Sequence, residues 1–373
     1  MASNGLRLAI DATPLLGART GVGAFVAGLM GELAARPDVE VTAYGVTWRG
    51  RGGLGPVVPP GVAVCRRPMA ARPLRWAWGK TGRPALEWWT GAVDVVHGTN
   101  FVVPPTRRAG AVVTVHDLTS LRFPEMCDAA TLAYPGLLQA AIARGVHVHA
   151  VSRFVADEVV ADLGADPARV TVVYSGVPAV GAGDAGRGRR LAGSDHYVLA
   201  LGTVEPRKDL PLLVRAFDAL AEQRPELRLV LAGPDGWGAE ALTDAVAGAR
   251  CGQRIVRLGW VGDADRAGLL AGATVLAYPS RYEGFGFPPL EAMAAGIPVV
   301  ATAAGALPEV LGDAAVLVPV GDTDALAGAL AGLLDDPPAR AAMVERGRLR
   351  VDRYRWDRGA GDMVALYRRA ASG

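Results

Sequence analysis

Two glutamates, Glu283 and Glu291, stand eight residues apart on either side of a short segment that is rich in glycine and proline. Carboxylates are strong hydrogen-bond acceptors, so two of them around one loop suit a ligand that carries many hydroxyl groups. Gly284 and Gly286 permit the loop backbone to approach such a ligand closely. The segment therefore predicts a binding site for a polyhydroxylated molecule.

The same segment predicts a helix start that can bind an anion. An apolar run at 273–278 precedes it and another at 297–301 follows, which indicates two strands on either side. Proline is favoured in the first turn of a helix, where its missing N–H would have had no partner. We expect the backbone N–H groups of Leu290 and Glu291 to face a phosphate, helped by the helix dipole. A phosphate beside hydroxyl groups indicates a sugar nucleotide.

A second motif supplies positive charge. The segment 202–209 begins with Gly202 at the end of a predicted strand and carries Arg207 and Lys208 before a helix that starts near residue 210. Arginine offers a planar fork of donors and lysine a compact charge, so together they can clasp a diphosphate. The alternative is a solvated loop in which Asp209 caps the following helix.

The composition fits a two-domain protein of the cytoplasm. The chain has 373 residues, of which 51% are hydrophobic, and a length of this order is natural for two domains. The formal net charge of +2 gives no signal for nucleic-acid binding. The three cysteines are odd in number and far apart, which favours a reducing compartment over a disulfide framework or a zinc site. We expect neither a signal peptide nor a transmembrane helix.

Strand-like apolar runs alternate with helical segments in both halves of the chain, which indicates an α/β fold with two doubly wound parallel sheets. The strands are expected near 6–11, 39–45, 93–97, 111–116, 147–151, 170–174, 197–202, 228–233, 255–259, 275–279, 298–302 and 315–318. A segment at 177–195 without an apolar pattern is interpreted as a linker. Ligands bind beyond the carboxyl ends of parallel strands, so two such domains that face each other predict a ligand site in a cleft.

The segments 205–209 and 283–294, in this order and spacing, resemble the motifs of the retaining family 4 glycosyltransferases. The resemblance implies the GT-B fold, in which two Rossmann-like domains face a central cleft. It implies an N-terminal acceptor-binding domain at 1–185 and a C-terminal domain at 190–355 that binds the nucleotide-sugar donor. A last helix at 356–373 would cross back onto the first domain.

The roles that the family assigns can be carried over to matching positions of this chain. Arg207 and Lys208 would neutralise the leaving nucleoside diphosphate, which makes them catalytic. The resemblance also places Glu283 and His116 among the catalytic residues. Glu291 would hold the ribose hydroxyls, and Glu283 would hold the transferred sugar. The other residues that the resemblance places around the donor are Gly202, Val261, Gly284, Phe285, Gly286, Phe287 and Leu290.

Simpler roles remain open for the acidic residues. Glu283 could pair with Arg281, and Glu291 could merely complement the helix dipole. Asp263 and Asp265 match a metal-binding Asp-x-Asp pattern, but at a helix start aspartate is the usual cap. We expect no metal and no other cofactor, since the arginine–lysine pair already supplies the positive charge that a metal would bring.

The N-terminal half carries weaker signals. Thr20-Gly21-Val22-Gly23 resembles the family's first glycine loop, whose backbone N–H groups face the phosphates or the acceptor; a flexible loop is the alternative. His116 ends a predicted strand, and in the family a histidine here contacts the donor sugar near the reacting carbon. Asp117 is expected to orient that ring or to cap the next turn. The residues assigned to the acceptor side are His97, Asn100 and Ser152, of which Ser152 is most simply a helix N-cap.

A basic segment with interleaved tryptophans lies at 66–89 and contains Arg72, Arg75 and Trp76. Arginine with tryptophan suits an anionic membrane surface. The alternative is a solvated arginine loop with its tryptophans packed inward. Nucleic acid is not expected as a partner, because no nucleic-acid fold signature accompanies the charge. The sequence thus predicts a cytoplasmic protein. Peripheral attachment at the inner face of the cell membrane is a hypothesis.

The resemblance implies a retaining, metal-independent hexosyltransferase. The segments 11–14 and 116–125 look like bacterial mannosyltransferases of cell-surface polysaccharide assembly, which favours GDP-mannose as donor and a glycan or lipid-linked acceptor. A UDP-hexose is the rival donor. The same motifs are also compatible with a nucleotide-sugar epimerase of this fold and with a catalytically idle sugar-nucleotide binding protein.

Overall fold

The computed structural model describes residues 5–17, 21–129 and 131–372, without the side chain of Arg51. It divides into two compact units, Met1–Gly176 together with Tyr354–Gly373, and Val177–Arg353. Each unit is built on one parallel sheet with helices in the connections.

The first unit contains a seven-stranded parallel sheet in the order β3-β2-β1-β4-β5-β6-β7. Its strands are β1 Leu6–Asp11, β2 Val39–Tyr44, β3 Ala63–Val64, β4 Val95–Gly98, β5 Gly110–Val115, β6 His147–Ala150 and β7 Val170–Val172. Its helices are α1 Gly21–Ala34, α2 Ala71–Thr81, α3 Glu87–Thr90, α4 Thr119–Arg122, α5 Tyr134–Ala143, α6 Arg153–Leu163 and α15 Trp356–Ser372.

The second unit contains a six-stranded parallel sheet in the order β10-β9-β8-β11-β12-β13. Its strands are β8 Tyr197–Leu201, β9 Arg228–Ala232, β10 Ile255–Gly259, β11 Val275–Tyr278, β12 Val299–Thr302 and β13 Val316–Val318. Its helices are α7 Ala185–Ala192, α8 Leu210–Ala221, α9 Ala239–Gly248, α10 Asp263–Gly272, α11 Phe287–Ala294, α12 Leu307–Leu311, α13 Thr323–Asp335 and α14 Pro337–Val351.

The strand order of the second unit sets the position of a ligand site. The chain winds outward from β8 to β9 and β10, and then returns to place β11 on the other side of β8. The connections after β8 and β11 therefore leave the sheet in opposite directions and open a crevice at its carboxyl edge. Both strands are buried along their whole length, as expected of central parallel strands covered on both faces.

The expected α/β architecture with two parallel sheets is confirmed, and each expected strand is present with ends that differ by up to two residues. Among the described residues, β3 is the strand that the sequence missed, because two residues are too short to show a periodic pattern. The interpretation of 177–195 as a linker is wrong, because it contains α7, which packs against α10. A Cβ at Gly188 would overlap the carbonyl of Gly268, so glycine allows the two backbones to touch. Such a contact leaves no apolar pattern in the sequence.

The C-terminal helix α15 belongs to the first unit and closes its core. The Tyr367 hydroxyl lies 2.8 Å from Nδ1 of His97 on β4. At the other end of the helix, a Cβ at Gly28 of α1 or at Gly176 would overlap the indole of Trp356. Small residues at these two positions therefore let the tryptophan dock.

We predict that Gly28→Ala destabilises the first unit, since the added methyl group must displace the Trp356 ring. Overpacking of this kind costs about 1–3 kcal/mol of unfolding free energy. The matched control is Gly31→Ala on the same helix, where a Cβ has no neighbour within 4 Å and alanine should stabilise by about 0.5–1 kcal/mol. Urea denaturation of both variants checks this, and equal effects would contradict the docking account.

Candidate functional site

Arg207 and Lys208 occupy a 3₁₀ turn, Pro206–Lys208, in the connection that follows β8. Asp209 comes next with a φ of 45°, and α8 begins at Leu210. Asp209 is the N-cap residue of α8, but its side chain does not bond the helix amides. The turn thus ends abruptly and leaves both cationic side chains at the crevice edge of the sheet.

Glu283 joins these two cations from the connection after β11. Its Oε2 lies 2.7 Å from Nη1 of Arg207, and its Oε1 lies 2.6 Å from Nζ of Lys208. Arg207 also donates to the carbonyl of Tyr282 at 3.0 Å, and Lys208 contacts the hydroxyl of Tyr278 at the end of β11. The carboxylate therefore links the two connections across the switch point of the sheet.

This cluster is largely shielded from water, and Glu283 itself is only 5% exposed. Burial opposes ionisation of its carboxyl, but the charges of Arg207 and Lys208 prevail and lower its pKa to about 2. Burial likewise lowers the pKa of Lys208, while Glu283 acts in the opposite direction. Glu283, Arg207 and Lys208 thus form an ion triad. Glu205 adds a second carboxylate beside it, with its Oε2 3.3 Å from Nη2 of Arg207.

Backbone contacts fix the loop that carries Glu283. The carbonyl of Glu283 accepts the N–H of Ala306 at 2.8 Å, and a Cβ at Gly305 would overlap that carbonyl. Arg281 donates its backbone N–H to the carbonyl of Arg207 at 2.8 Å. Glu283 therefore pairs with the two cations of the neighbouring connection in a position that the backbone holds.

The helix α11 begins at Phe287 with Gly286 as its N-cap. Gly286 has a φ of 103°, which other residues rarely adopt, and a Cβ there would also press on Cδ2 of Leu307 at 2.7 Å. Pro288 and Pro289 lie in the first turn, where their missing N–H groups cost nothing. The predicted helix start is confirmed, and the predicted roles of Gly284, Phe285 and Leu290 toward a phosphate or sugar stay predictions.

Glu291 lies in the middle of α11, is 6% exposed and forms an ion pair with Arg266. Arg266 belongs to α10 and was not identified from the sequence. The two residues are 25 positions apart on different helices, so no local spacing relates them. The structure therefore adds Arg266 to the candidate site.

A cavity opens at the carboxyl ends of β8 to β11, beside the ion triad. Gly202 and Gly233 follow β8 and β9 with φ angles of 141° and 155°, and a Cβ at Gly233 would overlap the carbonyl of Gly202. The polar and small residues that line the cavity include Gly202, Lys208, Gly233, Asp235, Arg257, Gly259, Tyr278 and Ser280. Val261 lies two residues beyond the end of β10 and is half-buried.

In the first unit, His116 is half-buried, and its Nε2 lies 2.8 Å from the carbonyl of Thr99. Burial lowers the pKa of its ring. Asp117 accepts the N–H of Thr119 at 2.9 Å, so it caps the next turn, which was one of the two roles expected of it. The predicted contact of His116 with a donor sugar stays a prediction.

Two of the residues assigned to the acceptor side have structural roles. His97 is fully buried, and its ring nitrogens lie 2.8 Å from the Tyr367 hydroxyl and 2.7 Å from the Thr114 hydroxyl. Ser152 is fully buried and accepts the N–H of Val155 at 3.2 Å, which confirms it as the N-cap of α6. Neither side chain has surface left with which to contact an acceptor.

Asn100 stands in a strained segment after β4. Its Oδ1 is buried and has no hydrogen-bond partner within the described part of the chain. The next residue, Phe101, has a φ of 60° and stacks on Tyr134 with ring centroids 5.1 Å apart. Strain of this kind is typical of functional segments, so Asn100 remains a candidate. Gly21, Val22 and Gly23 form the first turn of α1, while Thr20 lies outside the described residues.

The basic segment at 66–89 shows features of both a membrane surface and an inward-packed loop. Arg72 is exposed and Trp76 is 67% exposed on α2, whereas Trp78 is buried and donates to the carbonyl of Pro84 at 3.0 Å. Arg75 is half-buried and its Nε is enclosed. Within the described ranges, no helix is long and apolar enough to cross a membrane.

Asp263 and Asp265 lie in the first turn of α10, whose N-cap is Gly262. The expectation that they cap this helix is therefore wrong. They are acids that complement the helix dipole, and Asp265 pairs with Arg187. Across residues 5–17, 21–129 and 131–372, no group of three or more acidic, histidine or cysteine side chains could hold a metal ion.

Family models match both halves of the chain. The model described as "Glycosyltransferase Family 4" matches residues 19–179, and the model described as "Glycosyl transferases group 1" matches residues 187–350. The two matches together span both units.

Curated relatives with assigned activities are similar to this chain. D-inositol 3-phosphate glycosyltransferase from Kribbella flavida is 32% identical over 305 residues, which cover 76% of this chain and 70% of the relative. O-antigen chain mannosyltransferase B from Escherichia coli is 38% identical over 174 residues, 46% of this chain and 45% of the relative. Phosphatidyl-myo-inositol mannosyltransferase from Mycolicibacterium smegmatis is 38% identical over 174 residues, which cover 46% of this chain and 44% of the relative. The chain thus covers less than half of each mannosyltransferase.

Solved structures share the fold. Sucrose-phosphate synthase from Thermosynechococcus elongatus aligns with a TM-score of 0.75 and 21% identity over 98% of both chains. WaaG, a glycosyltransferase involved in lipopolysaccharide biosynthesis, aligns with a TM-score of 0.72 and 18% identity over 98% of both chains. Anabaena HepE in complex with UDP and glucose aligns with a TM-score of 0.68 and 17% identity over 99% of both chains.

We predict that Glu283 makes the stability of the second unit depend on pH in acid. Its pKa is 4.5 in a free chain and about 2 here, so its contribution is complete above about pH 4.5 and is lost as pH falls toward 2. The loss amounts to about 3 kcal/mol of unfolding free energy. Urea denaturation between pH 6 and pH 2 should therefore show the wild type converging toward Glu283→Gln as pH falls. The control Glu240→Gln removes an exposed glutamate of the same unit and should stay parallel to the wild type; a parallel Glu283→Gln curve would contradict the prediction.

Proposed function

Because the chain belongs to glycosyltransferase family 4, we propose that it is a retaining enzyme that moves a hexose from a nucleoside-diphosphate sugar to a hydroxyl acceptor. Its two parallel-sheet units are those of the GT-B fold. The observation that carries the proposal is the buried triad in which Glu283 holds Arg207 and Lys208 together beside the start of α11.

The triad suits departure of a diphosphate. As the glycosidic bond breaks, negative charge develops on the diphosphate oxygens. Arg207 offers a fork of donors, Lys208 a compact charge, and the first turn of α11 the positive end of a helix dipole. These groups are held in place before the donor arrives, so they stabilise the developing charge without reorganisation.

Donor binding exchanges the partners of the two cations. Without a donor, Glu283 pairs with both Arg207 and Lys208, and Arg207 pairs with Glu205 as well. A diphosphate carries more charge than a carboxylate and takes over both cations. The oxygens of Glu283 that lose these partners then accept hydroxyl groups of the transferred sugar. Glu283 thus has two roles: it pairs with the two cations in the empty site, and it binds the sugar in the occupied site.

The second carboxylate serves the nucleoside. Glu291 lies eight residues further along, in the middle of α11, and accepts the ribose hydroxyls. The diphosphate would then lie between the two glutamates, against the helix start. No protein group is assigned as general base, because the leaving phosphate takes the proton of the acceptor hydroxyl.

The donor that we favour is GDP-mannose, with a glycan or lipid-linked acceptor. Two of the relatives named above are mannosyltransferases, one of the O-antigen chain and one of phosphatidyl-myo-inositol. The rival donor is a UDP-hexose, since a structural neighbour was solved with UDP and glucose. Analysis of the reaction product would identify the acceptor hydroxyl and the linkage.

We predict that the protein releases GDP from GDP-mannose, or UDP from a UDP-hexose, faster when an acceptor extract is added. Lys208→Ala should lower turnover by about a hundredfold or more, because it removes a preorganised charge from the leaving group. Arg250→Ala, which removes an exposed arginine of the same unit, should leave turnover unchanged. Assays of nucleotide release with each donor measure both.

Three outcomes would count against this proposal. Release of an altered sugar without an acceptor would indicate an epimerase, and binding without turnover would indicate an idle binding protein. Full activity of Lys208→Ala would refute the assignment of the diphosphate to the basic pair.

We further propose that the first unit attaches to an anionic membrane surface through α2. Arg72 and Trp76 are exposed on this helix, four residues apart and therefore on one face. Arginine is attracted to anionic headgroups, and tryptophan settles at the boundary between headgroups and acyl chains. Arg75 is half-buried and contributes less. Such attachment would bring the enzyme to a lipid-linked acceptor.

We predict that the protein sediments with vesicles that contain phosphatidylglycerol and that Arg72→Ala weakens this partitioning about fivefold, as expected for one basic residue at the surface. Trp76→Ala should weaken it as well. The control is Trp260→Ala in the second unit, where the tryptophan is 64% exposed compared with 67% for Trp76. Equal losses for Trp76→Ala and Trp260→Ala, or no sedimentation of the wild type, would refute attachment through α2.

A further inference from the structure

The two glutamates of the candidate site differ in their counter-ions. Glu283 faces two cations that lie in the connection proposed to bind the diphosphate. Glu291 instead pairs with Arg266, which projects from α10 and lies outside that connection. The diphosphate of a donor would therefore displace Glu283 from its two cations, whereas the ion pair of Glu291 with Arg266 would remain.

Glu291 needs a partner that persists. Its neighbours on α11, Leu290, Ala292 and Met293, are all buried and apolar, and Glu291 itself is 6% exposed. An unpaired carboxylate in such surroundings is strongly unfavourable and would turn away toward solvent. The Arg266 side chain is one-third exposed, and its ion pair with Glu291 links α10 to α11.

We propose that Arg266 is a positioning residue for the donor nucleoside: it holds one oxygen of Glu291 and so aims the other at the ribose hydroxyls. This inference rests on the proposed function, since it assumes that Glu291 binds the ribose. Arg266 engages Oε2 of Glu291, and this contact restricts the side-chain torsions of the carboxylate. A carboxylate held in one orientation accepts two neighbouring hydroxyls better than one that rotates freely.

The location of Arg266 fits this role. It lies in the first turn and a half of α10, which begins two residues after Val261, where the donor nucleotide is expected. Arg266 thus connects the segment beyond β10 with α11. A nucleoside held by Glu291 would lie beside this ion pair.

The test compares nucleotides that differ only in the ribose hydroxyls. Calorimetry with the full chain measures the dissociation constants of GDP and 2′,3′-dideoxy-GDP, and of UDP and 2′,3′-dideoxy-UDP. For the wild type, loss of the hydroxyls should weaken binding of the preferred nucleotide about tenfold or more, as expected for hydrogen bonds to a charged group. For Arg266→Met, which keeps an unbranched side chain but removes the charge and the guanidinium donors, the ratio should fall close to one.

Two further variants keep the test independent of folding defects. Arg266→Lys retains the charge and should retain most of the wild-type ratio. Arg187→Met removes the arginine that pairs with Asp265 on the same helix α10, so it perturbs that helix without touching Glu291. It should keep the wild-type ratio.

Each contrary result has a distinct meaning. If Arg266→Met weakens both forms of the nucleotide equally, Arg266 is merely structural and the inference is refuted while the proposed function stands. An unchanged ratio in Arg266→Met refutes it as well. If the wild type binds the nucleotide without any preference for the ribose hydroxyls, the assignment of Glu291 fails and the inference with it. If the wild type binds neither GDP nor UDP, the proposed function itself is refuted.

Discussion

The buried contact of Glu283 with Arg207 and Lys208 is the interaction on which the site depends. It joins the connection after β8 to the connection after β11, the two neighbouring strands between which the chain reverses its winding direction. Parallel strands end at one edge of the sheet, so only a reversal of winding leaves a crevice between two such connections. The ion triad spans that crevice. Its carboxylate holds two positive charges close together that would otherwise repel each other.

Glycine conformations and the start of α11 hold the loop that carries Glu283 in place. Gly305 lets the backbone of Glu283 seat against the turn before α12, and Gly286 lets the loop enter α11 at a φ that other residues rarely adopt. The same helix then carries Glu291 into apolar surroundings, where Arg266 stabilises its charge. Two carboxylates of one loop and helix thus obtain different partners, and a donor is expected to disturb only the first pair.

Much of this arrangement could be predicted from local sequence. Buried parallel strands are continuous apolar runs, and the start of α11 is marked by its glycines and prolines, so both were found. What could not be predicted rests on contacts between distant segments. Arg266 pairs with Glu291 from another helix, and Nδ1 of His97 hydrogen-bonds with a tyrosine hydroxyl of α15. The helix α7 packs through glycine backbones, which leave no apolar pattern. Residue type and position on a strand end could not distinguish the buried His97 from the accessible His116.

A bound diphosphate is expected to take Arg207 and Lys208 from Glu283. The most direct measurement is a crystal structure of the protein with a bound nucleoside diphosphate. In that structure we expect diphosphate oxygens within hydrogen-bonding distance of both cations. We also expect the carboxylate of Glu283, now 2.7 Å and 2.6 Å from them, to have moved out of contact with at least one. A nucleotide bound elsewhere, with both ion pairs of Glu283 unchanged, would contradict it.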